Sequence, residues 1–253
     1  MSRLSDAFPR GRTALVCYGM AGDPSLSATE ELLRAIDAEG ADVIEIGLPF
    51  SDPIADGPTV QAAATRALRA GTTLPSIFEM VRGLRLRAPL VAMGYMNPIE
   101  RMGANAFAHA LAQAGIAGAI IPDLPLEEAA PLRAELAAAG VDLVPLVAPT
   151  TGPERAAAIA REARGFLYYV SVTGVTGARS ELPADLAARL RELRALSPVP
   201  LAVGFGISRA EQARALRGAS DGIVVGSALV AAHHEGGVRT AAELVRGLRA
   251  ALD

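Results

Sequence analysis

The sequence contains no lysine, so each of its 24 basic residues is an arginine. It has no tryptophan, one cysteine and three histidines. Each shortage excludes some chemistry. Without lysine the chain cannot form a Schiff base with a carbonyl substrate or anchor pyridoxal phosphate in the usual way. A Walker-type phosphate loop, which ends in lysine, is excluded too. Cys17 has no second cysteine to bond, so it reads as core packing in a protein of a reducing compartment. His233 and His234 are adjacent and cannot share a helical face as metal ligands at i and i+4 do. With His109 remote from both, no metal site is expected. No apolar run reaches the roughly 18 residues of a membrane span. Met1 to Gly11 also lacks the apolar core of a secretory signal. A net charge of −3 argues against nucleic acid as a partner. These absences predict a soluble, cytoplasmic protein.

What is present is enough apolar sequence for a sizeable core: 51% hydrophobic against 20% charged. Short β-branched runs alternate with Ala/Leu/Arg/Glu-rich stretches of helical period. The predicted strands are Ala14–Gly19, Val43–Leu48, Leu90–Gly94, Ala117–Ile121, Leu143–Val147, Phe166–Ser171, Leu201–Gly204 and Gly222–Gly226. The predicted helices include Leu26–Ala38, Val60–Ala70, Glu127–Ala139, Pro153–Ala163, Ala184–Leu196, Arg209–Leu216 and Thr240–Leu252. Eight strands alternating with helices over 253 residues is the count and size of a (β/α)8 TIM barrel. An open doubly wound sheet would carry Gly-x-Gly-x-x-Gly after its first strand, and Gly19-Met-Ala-Gly-Asp-Pro24 lacks that spacing. The expectation is an α/β fold: a single-domain barrel over residues 1–253, with an extra N-terminal helix within Met1–Phe8 closing its bottom.

The second strand, Val43-Ile-Glu-Ile-Gly-Leu48, carries the first chemical signal. Alternation puts Ile44, Ile46 and Leu48 on one face and Val43, Glu45 and Gly47 on the other. The large apolar face should meet the helices, which turns Glu45 into the barrel. An ionised carboxylate there costs several kcal/mol unless paired. None of the predicted strands contains a basic residue, so a structural ion pair has no obvious second member. A functional carboxylate is the better reading.

The next stretch, Pro49-Phe-Ser-Asp-Pro-Ile-Ala-Asp-Gly-Pro58, is a loop at the C-terminal end of that strand, the active face of such barrels. It adds Asp52 and Asp56. Carboxylates in unlike environments are a way to separate acid from base roles. The competing expectation is that one of these aspartates only caps the following helix. Three glycine turns come late, at Gly174–Gly177, Gly204–Ser208 and Gly226–Ala228. Loops after the last barrel strands often bind phosphate through backbone N–H groups, which needs no cationic side chain.

These residues together resemble the tryptophan synthase alpha chain family. Ile44-Glu-Ile-Gly-Leu-Pro-Phe-Ser-Asp-Pro-Ile-Ala-Asp-Gly57 is similar to that family's signature throughout. Gly22-Asp23-Pro24, Tyr95-Met-Asn-Pro98, Pro122-Asp-Leu-Pro125 and the three glycine turns extend the resemblance over essentially the whole chain. One departure is Val172-Thr173, where some relatives have Arg-Ser. The resemblance implies retro-aldol cleavage of indole-3-glycerol phosphate to indole and glyceraldehyde 3-phosphate without a cofactor. It implies Glu45 as acid and base, Asp56 on the indole N–H, and Tyr168 in support. It places the phosphate on Gly177, Gly206, Gly226 and Ser227. It gives the indole a wall of Tyr18, Met93, Tyr95, Ile120 and Phe205, and makes Gly174–Pro183 a lid. Pro49, Asp52 and Asn97 are implied to face a partner beta chain in an alpha2-beta2 assembly, with pyridoxal phosphate only on that partner.

Other readings remain at this point. A phosphate-binding sugar isomerase would share the late glycines but has no use for Glu45 beside the Asp-rich loop. A stand-alone indole-releasing lyase would need no partner. A non-catalytic activator of a beta chain would not need both carboxylates.

Overall fold

The computed structural model describes residues 2–170, 186–204 and 206–253. Its strands are β1 (Ala14–Met20), β2 (Val43–Gly47), β3 (Leu90–Met93), β4 (Ile116–Ile120), β5 (Asp142–Val144), β6 (Leu146–Val147), β7 (Leu167–Val170), β8 (Leu201–Gly204) and β9 (Gly222–Val225). They form one parallel sheet in the order β5-β4-β3-β2-β1-β9-β8-β7-β6. The two edges are consecutive in the chain, joined only through Pro145. Proline has no N–H for a ladder. The predicted fifth strand Leu143–Val147 is therefore two pieces, one paired with β4 and the other with β7. The Tyr168 N–H donates to the Pro145 carbonyl at 3.0 Å, so the barrel closes across the break.

The helices are α1 (Arg3–Asp6), α2 (Leu26–Ala38), α3 (Pro58–Arg69), α4 (Leu74–Arg82), α5 (Met96–Met102), α6 (Ala104–Gln113), α7 (Ala130–Ala138), α8 (Pro153–Glu162), α9 (Leu186–Leu196), α10 (Ala210–Ala215) and α11 (Ser227–Leu252). The helix predicted from Glu127 starts later, at Ala130, because Pro131 suits a first-turn position where its missing N–H has no bond to lose. The predicted Thr240–Leu252 helix is the second half of α11, which is interrupted at Gly237 with φ 70°. The first half begins directly after Gly226. It is missed by sequence periodicity because the glycine-rich turn and Gly236-Gly237 bracket it.

Period-2 alternation on the strands divides the core into two layers. Ile44, Ile46 and Leu48 pack outward among the helices with Leu33, Ile77 and Phe107. Val43, Val16, Val91, Val144 and Phe166 fill the barrel, and Leu4 and Phe8 from the N-terminal segment join them. A side chain at Gly118 would lie 2.8 Å from Leu4 Cδ2, so this β4 glycine makes room for the plug. Ser5 Oγ donates to the Gly165 carbonyl at 2.6 Å and fixes α1 across the barrel bottom. Carboxylates tie the scaffold elsewhere. Asp42 accepts from Arg12 at 2.6 Å, from Arg249 at 2.9 Å and from the Leu15 N–H at 2.9 Å.

Candidate active site

The C-terminal ends of the strands open into a cavity of about 880 Å³. Glu45, Asp56, Tyr18, Met93, Tyr168, Gly206, Gly226 and Ser227 all line it. The cavity also runs over the break at Pro145 towards α7 and α8, where Arg133 and Glu162 pair at 3.1 Å.

Glu45 reaches this cavity because it occupies an inward position of β2, where its register partners are Tyr18 on β1 and Val91 on β3. It is 1% exposed, and among the described residues its Oε2 has no hydrogen-bond partner. Burial pushes its pKa up to about 8, and the nearby charge of Asp56 adds to the rise. A buried carboxyl of this kind is neutral at pH 7 and holds a proton to give.

Asp56 stands on the loop between β2 and α3 and is half-buried. Burial raises its pKa to about 6, while a hydrogen bond from the Tyr95 hydroxyl works the other way. The two carboxyls thus differ in state near neutrality, Glu45 protonated and Asp56 ionised. Neither aspartate of the loop caps α3. Its N-cap is Gly57, with no side-chain cap bond, followed by Pro58. The capping expectation fails because Gly57-Pro58 starts the helix by backbone preference alone.

Two tyrosines share the cavity with Glu45, Tyr18 from the adjacent β1 and Tyr168 from β7 across the barrel. Tyr18 and Tyr168 both have pKa values well above the usual phenol range, first through burial and then through the charges of Glu45 and Asp56. They stay neutral. Each lies over a glycine. A Cβ at Gly47 would sit 2.1 Å from the Tyr18 hydroxyl oxygen, and one at Gly204 would sit 2.8 Å from that of Tyr168. Glycine within a strand often marks such a close approach, so Gly47 beside Glu45 was a usable signal for the Tyr18 contact.

Gly206, with φ 59°, and Gly226, which precedes the first turn of α11, bring exposed backbone to the same mouth. A helix N-terminus offers free N–H groups and a favourable dipole to an anion. Gly177, Phe205, Val172-Thr173 and the expected lid Gly174–Pro183 lie outside the described residues.

Two of the residues implied for the indole wall are more deeply set than Tyr18 and Met93. Ile120 is fully buried among the barrel core side chains. Tyr95 is buried behind the loop, stacked on Phe50 with ring centroids 5.4 Å apart. Among the residues implied for a partner surface, Asp52 and Asn97 are exposed, but Pro49 is buried within the chain itself. Ile54, on the same loop as Asp52, is 82% exposed. Spacing gave no sign of one further feature. Asp23, buried at the end of the first barrel loop, is gripped by Arg66 of α3 through two bonds of 2.7 Å. The pair sits far apart in sequence and meets only in the fold. Among the described residues no cluster of His, Cys, Asp or Glu has the arrangement of a metal site.

Comparison with known proteins identifies the family. A family model described as "Tryptophan synthase alpha chain" matches residues 4–250. A tryptophan synthase alpha chain of Citrifermentans bemidjiense is 52% identical over 236 residues, 91% of this chain and 88% of the relative. One of Synechococcus elongatus is 49% identical over 260 residues, covering 100% of this chain and 98% of the relative. Among solved structures, a chain of tryptophan synthase from Mycobacterium tuberculosis superimposes with a TM-score of 0.93 at 38% identity. That match covers 99% of this chain and 98% of the other.

Proposed function

The chain belongs to the tryptophan synthase alpha chain family, and on that premise we propose how its own residues carry out the family's reaction. That reaction is the lyase step of tryptophan biosynthesis that cleaves indole-3-glycerol phosphate to indole and glyceraldehyde 3-phosphate. The family runs it without a cofactor of its own, and a beta chain is its partner.

Indole is a poor leaving carbanion, so the ring carbon bearing the glycerol chain must gain a proton before the carbon–carbon bond breaks. Glu45, held neutral by burial, gives that proton. The positive charge then lies on the indole nitrogen. Asp56, ionised above about pH 6, accepts the N–H and stabilises this charge. The glycerol hydroxyl proton passes to the Glu45 carboxylate as the carbonyl of glyceraldehyde 3-phosphate forms. The bonding electrons return to the ring, indole leaves, and Glu45 is again protonated. Tyr168 stays a neutral phenol beside Glu45 and shapes its pocket. Gly206, Gly226 and Ser227 hold the phosphate by backbone and hydroxyl donors, with Gly177 as an additional member. Tyr18 and Met93 flank the indole, and Phe205 is a further member of its wall.

One observation carries this reading: Glu45 is buried, has an oxygen without a hydrogen-bond partner among the described residues, and shares a cavity wall with Asp56. A purely structural carboxylate would have been paired. The test is indole release from indole-3-glycerol phosphate by the purified chain, with and without a beta chain. Glu45→Gln should lose roughly 10²–10⁴-fold in kcat while still binding glycerol phosphate. Normal turnover by that variant would refute the role.

The remaining proposals concern setting. The chain acts as one barrel domain over residues 1–253 in the cytoplasm. It assembles as alpha2-beta2, with pyridoxal phosphate on the beta chain. The exposed Asp52, Ile54 and Asn97 form part of the contact. Pro49 supports that loop from within.

A further inference from the structure

Tyr95 is buried, yet its hydroxyl is fully engaged at the edge of the site. The Ala55 N–H donates to the Tyr95 oxygen at 3.2 Å. A phenol has a single proton, and that oxygen already accepts a bond. The hydroxyl proton is therefore directed to its other neighbour, the Asp56 carboxylate. The ring cannot easily swing away, because it stacks on Phe50 at an interplanar angle of 30° and sits at the start of α5. The Met96 N–H next to it is held by Asp123 at 3.0 Å. Phe50, Ala55 and Asp56 all belong to the loop after β2, whereas Tyr95 comes from the loop after β3. The tyrosine thus fastens one catalytic loop to the neighbouring strand end.

We propose that Tyr95 is a positioning residue, which fixes Asp56 as a hydrogen-bond acceptor aimed at the cavity through a relay that starts at the Ala55 N–H. The inference rests on the reading of Asp56 given above. A donor aimed at a carboxyl oxygen favours the ionised form, the form required to receive the indole N–H. The bond from Tyr95 opposes the effect of burial on Asp56, so losing it leaves burial unopposed.

Tyr95→Phe removes one oxygen and keeps the stacked ring. In the full enzyme with its beta chain, the acid limb of kcat/KM for indole-3-glycerol phosphate should move to higher pH. A rise of about one pH unit corresponds to a loss of roughly fivefold at pH 6 and under twofold at pH 7.5. Affinity for glycerol phosphate and the melting temperature should stay close to those of the parent. A Tyr95→Phe profile that superimposes on the parent, or a loss equal at every pH, overturns the proposal. Asp56→Asn is run alongside. If it keeps full activity, the reading of Asp56 itself falls and this inference with it. If it is inactive while Tyr95→Phe matches the parent, only this inference falls.

Discussion

Ionised Asp56 opposes the ionisation of Glu45 across the barrel mouth. Both residues sit in the same cavity wall, one from inside β2 and one from the loop that follows it. Glu45 is the more deeply buried, so it keeps its proton to higher pH. The separation of roles follows from unequal solvent access, not from a difference in residue chemistry.

The pH dependence of kcat/KM should be bell-shaped. Activity falls below about pH 6 as Asp56 takes up a proton, and above about pH 8 as Glu45 loses one. Steady-state rates from pH 5 to 9 test this. A profile flat through that range would refute the assignment of acid and base.

Stability should show the same carboxyl with a definite sign. The Glu45 pKa rises from its ordinary 4.5 to about 8 on folding. Between those values the folded state binds more protons than the unfolded one. Its favourable contribution is complete below pH 4.5 and is lost as pH climbs to about 8. Glu45→Gln removes the titration. The variant should melt above the parent at pH 8.5, by several degrees for a gain on the order of a few kcal/mol. The gap should shrink at pH 5. Thermal melts at the two pH values decide it, and an equal difference at both would contradict the buried-acid description.

Gly47→Ala should be poorly tolerated, because the new methyl would overlap the Tyr18 hydroxyl. Overpacking of this kind costs roughly 1–3 kcal/mol. The same change in a Tyr18→Leu background should cost much less. A double-mutant cycle on denaturant unfolding measures the difference. Additive losses would mean that the contact does not govern the site.

Arg66→Ala should destabilise by about 3 kcal/mol, since it leaves Asp23 buried and unpaired. The lower end of the usual range applies because Arg66 keeps an edge in water, at 28% side-chain exposure. Asp23→Asn combined with Arg66→Ala should recover part of the loss. Chemical denaturation of the three variants reads this directly. Unchanged stability in Arg66→Ala would show that water replaces the arginine.

Local pattern was enough to reveal the barrel, because strand and helix periods differ and each leaves its own spacing of apolar residues. It also turned Glu45 inward, since Ile44, Ile46 and Leu48 claim the opposite face. The absence of lysine narrowed the chemistry to groups the chain does possess, carboxylates and backbone amides. Helix starts were less legible. At Ala130 and Ser227 the deciding features were a proline and flanking glycines, not periodicity.

Residue pattern alone established the fold class, the inward face of β2 and three carboxylates, Glu45, Asp52 and Asp56, near one mouth. Only the tertiary structure decided what those carboxyls are. Depth of burial at Glu45, the Tyr95 bond to Asp56 and the grip of Arg66 on Asp23 all depend on residues from different strands and loops. Desolvation and charge coupling depend on distances through space, and chain spacing does not encode them until the barrel closes.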